Sequence, residues 1–425
     1  MHKSNTQLLE GETVRATEKI QQPKSRKHSY IAALLGTVLH SYDHSLYGFM
    51  APLLVPLFLP DVEVATAFVL AYGLYPLKAL FGPLGAFYVG RLGDRYGRKR
   101  ALQFAMLGMA LVTLTMGLLP TYAAVGLAAP ILLALLRCLM SFFGAAEYNG
   151  GAVYCLEHSD YKHQGLMSGV YCAASVSGIL LASVICTAVA YLPAAYWRVP
   201  FLLSCTTAWV SFYLRRHAEE SPDYAASEFQ HEPFWALTKR YKSEILSGLG
   251  VSAFFSALYM LPAVFFIAYI PMVTGLSTAT AMSINTVTLL LYLMLLPVGG
   301  FLADRWGVRR SMGLATAATL IFAVPLFKLL QINTLTAVFL VKGLFSVLGA
   351  WFIGPFHTFL HRLFRPQERY TLASLCYSIG AKGGSAMPAA GILLWQYTQC
   401  VWAPAWLLVF WAILALFGIF GPKRA

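Results

Sequence analysis

From about residue 30 to its end this chain scarcely leaves apolar sequence, and hydrophobic runs of bilayer-crossing length follow one another with only short polar breaks. Crossing about 30 Å of hydrocarbon at about 1.5 Å per residue takes roughly 20 apolar residues. Candidate spans lie at 30–57, 62–90, 101–119, 124–155, 166–192, 198–214, 245–270, 281–303, 311–331, 334–361, 370–396 and 401–420. At that depth no water pairs with bare backbone N–H and C=O groups, so each span must be a helix. A soluble chain is excluded by composition: 58% of the 425 residues are hydrophobic and 12% charged, against about half and about a quarter in soluble domains. The expected fold class is an all-α polytopic membrane protein with twelve transmembrane helices.

The formal net charge of +13 raises the question of nucleic acid, and its placement answers it. Lys and Arg gather in the amino tail, at Arg91 to Arg100, Arg215 and Arg216, Lys239 to Lys242, Arg305 to Arg310, Arg362 to Arg369, and Lys423 with Arg424. Those are the tails and every second loop, so the positive-inside rule predicts both termini in the cytoplasm, an even number of crossings and no nucleic-acid partner. The first 29 residues are polar and the first apolar run is span-length, so no cleaved leader is expected. Cys138, Cys155, Cys172, Cys186, Cys205, Cys376 and Cys400 show no paired spacing, and free, packed thiols without a metal site are expected.

The polar stretch 217–243 separates six spans from six. The expected organisation is a tail at 1–29, a half at 30–216, a linker at 217–243, a second half at 244–420 and a tail at 421–425. A motif repeats between the halves. Gly90-Arg-Leu-Gly-Asp94-Arg95-Tyr-Gly97-Arg98-Lys-Arg100 recurs as Gly300-Phe-Leu-Ala-Asp304-Arg305-Trp-Gly307-Val-Arg309-Arg310, at a constant offset of 210 residues from Gly90 to Gly300 and from Asp94 to Asp304. Its glycines allow helix ends to approach closely, its aspartate suits a helix amino terminus, and its arginines suit an anionic leaflet. We read it as a conformational gate that does not touch substrate. Two six-helix halves related by a repeat, with a site between them at mid-bilayer, is the plan of a secondary transporter.

The motif in both halves resembles the major facilitator superfamily, and three further stretches resemble its metabolite:proton symporter branch, which includes proline/betaine, 2-oxoglutarate, citrate and shikimate permeases. They are Tyr42-Asp43 with Leu46-Tyr47-Gly48; Arg137 followed by Glu147-Tyr148-Asn149-Gly150-Gly151-Ala152 and Glu157-His158; and Trp197-Arg198-Val199-Pro200-Phe201 with Leu214-Arg215-Arg216 and Glu219-Glu220-Ser221-Pro222. Arg369-Tyr370-Thr371 fits as well. The resemblance covers most of the chain and is weaker in the second half. It implies alternating access driven by a proton gradient, with no bound cofactor. The glycine-proline signature that antiporters of the superfamily carry on helix 5 is replaced here by Ser175-Val-Ser-Gly178-Ile, which favours symport.

Six of the 31 Lys and Arg fall outside tails and basic loops: Lys78, Arg137, Arg198, Lys328, Lys342 and Lys382. Arg198 and Lys328 lie near the outer ends, where long side chains snorkel. An ionised group deeper than that costs a few kcal/mol at least and marks a pathway. Arg137, Lys78, Lys342 and Lys382, with Tyr47, are therefore the candidate substrate-binding residues; a structural ion pair is the other role open to Arg137. Relatives usually place an arginine where this chain has Gly82, and Lys78 lies one turn outward on the same helix face.

His40, Asp43, His44 and Tyr47 share one face of helix 1 by their i, i+3, i+4, i+7 spacing. The first three are the candidate proton-coupling residues, since histidine titrates near neutral pH without a shift. In the family the position of His40 is usually acidic and that of His44 aromatic. Glu147 and Glu157 are expected to pair with loop arginines in the gate, alongside Gly90, Asp94, Arg95, Gly97, Arg98, Gly300, Asp304, Arg305 and Gly307. Four deep cations against Asp43 and Glu147 favour an anionic substrate such as a mono- or dicarboxylate or 2-oxo acid, with a zwitterion such as proline or betaine as the alternative. A receptor on the same fold is a more remote reading, a channel is disfavoured by the two-half plan, and no nucleotide loop or catalytic spacing points to an enzyme. A monomer in the plasma membrane, the inner membrane in a bacterium, is expected.

Overall fold

The computed structural model describes residues 23–59, 75–216, 219–225 and 233–421. Their regular elements are all helices, with no strand among them. The first half contains α1 (Pro23–Phe58), α2 (Tyr75–Tyr96), α3 (Arg98–Leu118), α4 (Ala128–Glu157), α5 (Gln164–Ala190) and α6 (Ser204–Arg216). The second contains α7 (Lys242–Met260), α8 (Thr278–Trp306), α9 (Val308–Leu329), α10 (Leu335–Ile353), α11 (Arg369–Ser385) and α12 (Ala405–Phe420), with shorter helices between. Seven helical stretches among the described residues are long and apolar enough to cross a membrane: Arg98–Leu118, Ala128–Glu157, Tyr161–Val189, Lys242–Thr274, Thr280–Trp306, Val308–Ile332 and Leu335–Leu363. Ala405–Phe420 is a shorter apolar helix.

Where the helices depart from the expected spans, proline is at the break. α1 begins at Pro23, inside the expected tail, since the missing N–H of proline is harmless in a first turn. α7 runs into a π turn, Leu261–Phe265, that contains Pro262, and then continues as Phe266–Thr274. The expected spans 334–361 and 370–396 each split in two. α10 resumes as Phe356–Leu363 after Pro355, and α11 resumes as Met387–Thr398 with Pro388 in its first turn. A proline donates no hydrogen bond and crowds the preceding turn, so the ladder shifts or stops there.

Within the first half α1 packs on α5 and α4 packs on both α2 and α3. Within the second, α7 packs on α11 and α12, and α8 on α10. The halves meet along two seams, α5 against α8 and α2 against α11. Adding 210 residues turns the first member of each seam into a helix of the other seam, so the sequence repeat is also a repeat of packing. All seven cysteines are free, five of them buried.

Candidate functional site

At the ends that carry the basic loops, each half caps a helix of the other. Asp94, at the end of α2, accepts backbone N–H bonds from Tyr370 (3.2 Å) and Thr371 (3.0 Å) in the first turn of α11, and the Thr371 hydroxyl as well. Asp304, at the end of α8, accepts from the N–H groups of Gly165 (2.7 Å) and Leu166 (2.8 Å) in the first turn of α5. A carboxylate at a helix amino terminus meets unpaired N–H groups and the positive end of the dipole. Glycine permits the approach: a Cβ on Gly90 would lie 2.7 Å from the Thr371 Cα, and one on Gly300 2.1 Å from the Gly165 carbonyl oxygen. Gly97 (φ 105°) and Gly307 (φ 88°) make the turns between motif helices in a conformation other residues resist.

The first copy of the motif carries more. Arg98, with no exposed surface, donates to Asp94 (2.7 Å), to the Gly93 carbonyl (2.8 Å), to Glu157 (3.4 Å) and to the Pro366 carbonyl. Arg369 of α11 donates to Glu157 (2.9 Å) and to Asp223 (2.8 Å), and Ser221 donates to Glu157. The stretch 217–243, expected as a plain linker, therefore contributes residues 221–225 to this lock; Tyr224 also donates to the Arg95 carbonyl at 3.0 Å. In the second copy the position of Arg98 is Val308, and Asp304 works with backbone groups. The side chains of Arg95 and Arg305 are exposed, and Arg305 lies over the Phe301 ring. Glu157, Asp223 and His361 come close enough to share an ion, but both carboxylates already answer Arg369.

Glu147 departs from its expected place in this lock. It sits ten residues before Glu157 on α4, about 15 Å along a helix, and contacts His40 Nδ1 of α1 at 3.2 Å, both side chains being buried. That ties α4 to α1 within the first half. Asp43, one turn along α1, accepts from the Ser204 hydroxyl at 2.7 Å, which ties α1 to α6. His44 is exposed, and its ring stacks on His40 with centroids 5.9 Å apart. Tyr47 is buried beneath Arg137, whose guanidinium carbon lies 3.9 Å from the ring centroid. Arg137 also donates to the Met140 sulfur.

Across the seam, half-buried Lys382 of α11 lies within electrostatic reach of Arg137. Between these cations and the lock is an aromatic layer of which only His40 was an expected site residue. Half-buried Tyr148 of α4 lies 5.3 Å from Tyr377 of α11, 5.2 Å from His357 and 6.2 Å from His40, centroid to centroid. Phe255 of α7 lies 5.6 Å from Tyr377. Tyr148 stands beside Glu147 in the stretch quoted above, and that adjacency was the available signal. Two expected binding residues do not join this group. Lys342 is wholly buried inside the second half, donating to Asn285 of α8 at 2.7 Å, because α8, α9 and the π turn close around α10. Lys78 is on α2, and its side chain lies outside the described residues.

The chain matches the family model described as "Sugar (and other) transporter" over residues 29–233. It is 26% identical over 423 residues to the proline/betaine transporter of Escherichia coli K12, covering 95% of this chain and 84% of that one. It is 25% identical over 414 residues to the glycine betaine/proline/ectoine/pipecolic acid transporter OusA of Dickeya dadantii, covering 93% and 83%. The inner membrane metabolite transport protein YhjE of Escherichia coli K12 is 28% identical over 393 residues, at 88% and 89% coverage. Among solved structures, a bacterial homologue of ferroportin in an outward-facing state superposes with a TM-score of 0.73 at 15% identity, covering 92% and 98%. The proton:xylose symporter XylE bound to 6-bromo-6-deoxy-D-glucose does so at 0.72 and 16%, covering 94% and 95%.

Proposed function

We propose that this chain, a multi-pass membrane transporter of the major facilitator superfamily, takes up a small zwitterion of the proline or betaine class by proton-coupled alternating access. The observation that carries the substrate class is the balance of charged side chains placed deep in the helices where α4 and α11 approach. An anionic substrate followed from counting four deep cations against two acids. Among the described side chains, with Lys342 withdrawn into the second half, Arg137 and Lys382 stand against Asp43 and Glu147. Both signs are present, as a zwitterion requires. Its carboxylate would meet Arg137 and Lys382. Its cationic nitrogen would meet the faces of Tyr148 and Tyr377, since ring faces attract ammonium groups that donate no hydrogen bonds. The relatives named for proline and betaine support the same class.

Twelve crossings with both termini in the cytoplasm belong to this reading. So does a conformer locked at the cytoplasmic end by Asp94, Asp304 and the Arg98 network, with the space above it open outward. Labelled glycine betaine and proline are expected to accumulate in cells expressing the chain, and an uncoupler to abolish the accumulation. Unlabelled dicarboxylates and 2-oxo acids should compete less well than betaine; stronger competition by any of them would restore the organic-acid reading.

The coupled proton is assigned to the α1 face. Asp43→Asn is expected to lose accumulation driven by a pH gradient while keeping substrate counterflow, because counterflow needs only the loaded carrier to reorient. If Asp43→Asn still accumulates substrate in response to a pH gradient, the His40 and Glu147 pair carries the proton instead.

A further inference from the structure

Lys342 is a buried lysine with no carboxylate partner among the described residues. It has no exposed surface, and its ammonium donates to a neutral amide oxygen, Asn285 Oδ1, at 2.7 Å. From residue 244 onward the only acids are Glu244, Asp304 and Glu368, all at the basic-loop end. The elements packed on α10 are α7, α8, α9, the π turn Leu261–Phe265 and the turn Leu330–Ile332. The titratable groups they bring near are the tyrosines Tyr259 and Tyr292; Lys328 of α9 is turned to the Trp402 ring, 5.3 Å away, and His357, on the continuation of α10, is held in the layer with Tyr148. Asn285 opens on a narrow crevice lined also by Tyr259, Pro262, Tyr292 and Ser346. In it the Tyr292 hydroxyl, on a residue 1% exposed, has no partner among the described residues.

An ammonium sealed against apolar side chains and one neutral amide costs several kcal/mol, and giving up the proton removes most of that cost. The wall of the crevice is the π turn of α7, where Pro262 breaks the regular ladder; π turns inside helices are a frequent feature of functional sites. We propose that Lys342 is a second proton-exchange site of the transport cycle, neutral while the π turn seals the crevice and protonated when that turn opens it to the space between the halves. The inference rests on the proton-coupled reading above for its place in the cycle, but its chemistry is a property of the second half alone. The step is a proton transfer from a hydronium ion in the opened crevice to the Lys342 amine; the crevice stays open while the space between the halves changes sides, and the ammonium returns the proton to water there before the π turn seals again.

Lys342→Met and Lys342→Arg, reconstituted in liposomes, separate the possibilities. Methionine stays neutral, so counterflow of labelled betaine should hold within about twofold of wild type while accumulation under a pH gradient falls by about tenfold or more. Arginine cannot shed its proton, so Lys342→Arg should lose counterflow itself by about tenfold or more. Loss of counterflow in both variants would make Lys342 a packing residue. Loss in Lys342→Met with rescue by Lys342→Arg would make it a carboxylate-binding residue. Either overturns the proposal. A measurement without substrate covers the case in which wild type moves neither betaine nor proline, which would sink the zwitterion reading. If Lys342 is neutral in the folded protein, unfolding takes up a proton, so the melting temperature of wild type should rise relative to Lys342→Met between about pH 6 and about pH 9. A flat difference would show that the lysine is charged when folded and refute the assignment.

Discussion

Arg137→Lys is expected to weaken binding of glycine betaine or proline by about tenfold or more although it keeps the charge. The guanidinium carbon lies over the Tyr47 ring, 3.9 Å from its centroid. A guanidinium is planar and offers parallel N–H groups in a fork that fits both oxygens of a carboxylate. An ammonium on a flexible stem is a point charge that neither stacks flat nor offers the fork. Lys382 lies across the seam, so a carboxylate between the two cations would also draw α4 and α11 together, which is how a ligand can favour the closed cavity. Lys382→Met should therefore weaken binding and slow reorientation, with Arg137→Lys the more severe for binding. Isothermal titration of the purified variants gives the dissociation constants. Wild-type affinity in Arg137→Lys would mean that charge alone suffices at that position, and the carboxylate fork would have to be abandoned.

Asp94→Asn is expected to cut turnover by about tenfold or more while leaving the dissociation constant within about twofold, and to exceed Asp304→Asn in effect. Both aspartates cap a helix of the opposite half through two backbone N–H groups. Hydrogen bonds to a charged acceptor contribute about 1.5–3 kcal/mol each. Asparagine keeps one acceptor oxygen and turns donors toward donors, so either variant loosens its seam. Asp94 alone also holds Arg98, which is buried against Glu157 and shares that carboxylate with Arg369. Removing one member of a buried charge network leaves the others uncompensated, a loss of about 3–5 kcal/mol for a broken buried pair. At the second seam the corresponding position is Val308, and no such debt arises. Substrate-induced current in reconstituted membranes measures turnover. Equal losses in the two variants would argue that the caps, rather than the arginine network, set the stability of the lock.

The asymmetry between the two motif copies has a mechanistic reading. At the α5–α8 seam the motif contributes a cap alone, while the continuation of α10 ties the start of α5 through Thr358 to the Gln164 carbonyl (2.7 Å) and Arg362 to the Gln164 side chain (3.2 Å). The α2–α11 seam adds three charged side chains and a strap from residues 221–225. Opening the basic-loop end must break both, and the second is the costlier. A substrate or proton that moves α11, through Lys382 or Tyr377, acts on the helix whose first turn Asp94 caps.

Two levels of the protein were open to different arguments. The all-helical fold, the bilayer as solvent and the repeated motif follow from the amino-acid sequence, because each rests on something local or periodic. Hydrophobic length, loop charge and a 210-residue repeat need no knowledge of what touches what. Asp94 and Asp304 were legible as helix caps for the same reason, since a carboxylate at a motif turn has few other uses. The content of the binding space was not legible in that way. Arg137, Lys382 and Lys342 look alike as deep cations in the sequence, yet α11 turns Lys382 to the seam whereas α8 and α9 seal Lys342 against Asn285. Glu147 and Glu157 share one helix, but α1 claims the first with His40 and the lock claims the second with Arg98 and Arg369. Depth in a membrane is a property of position along the chain. Which face of a helix meets water is decided by the neighbours that pack on it, and for buried charges that choice sets the sign of the site.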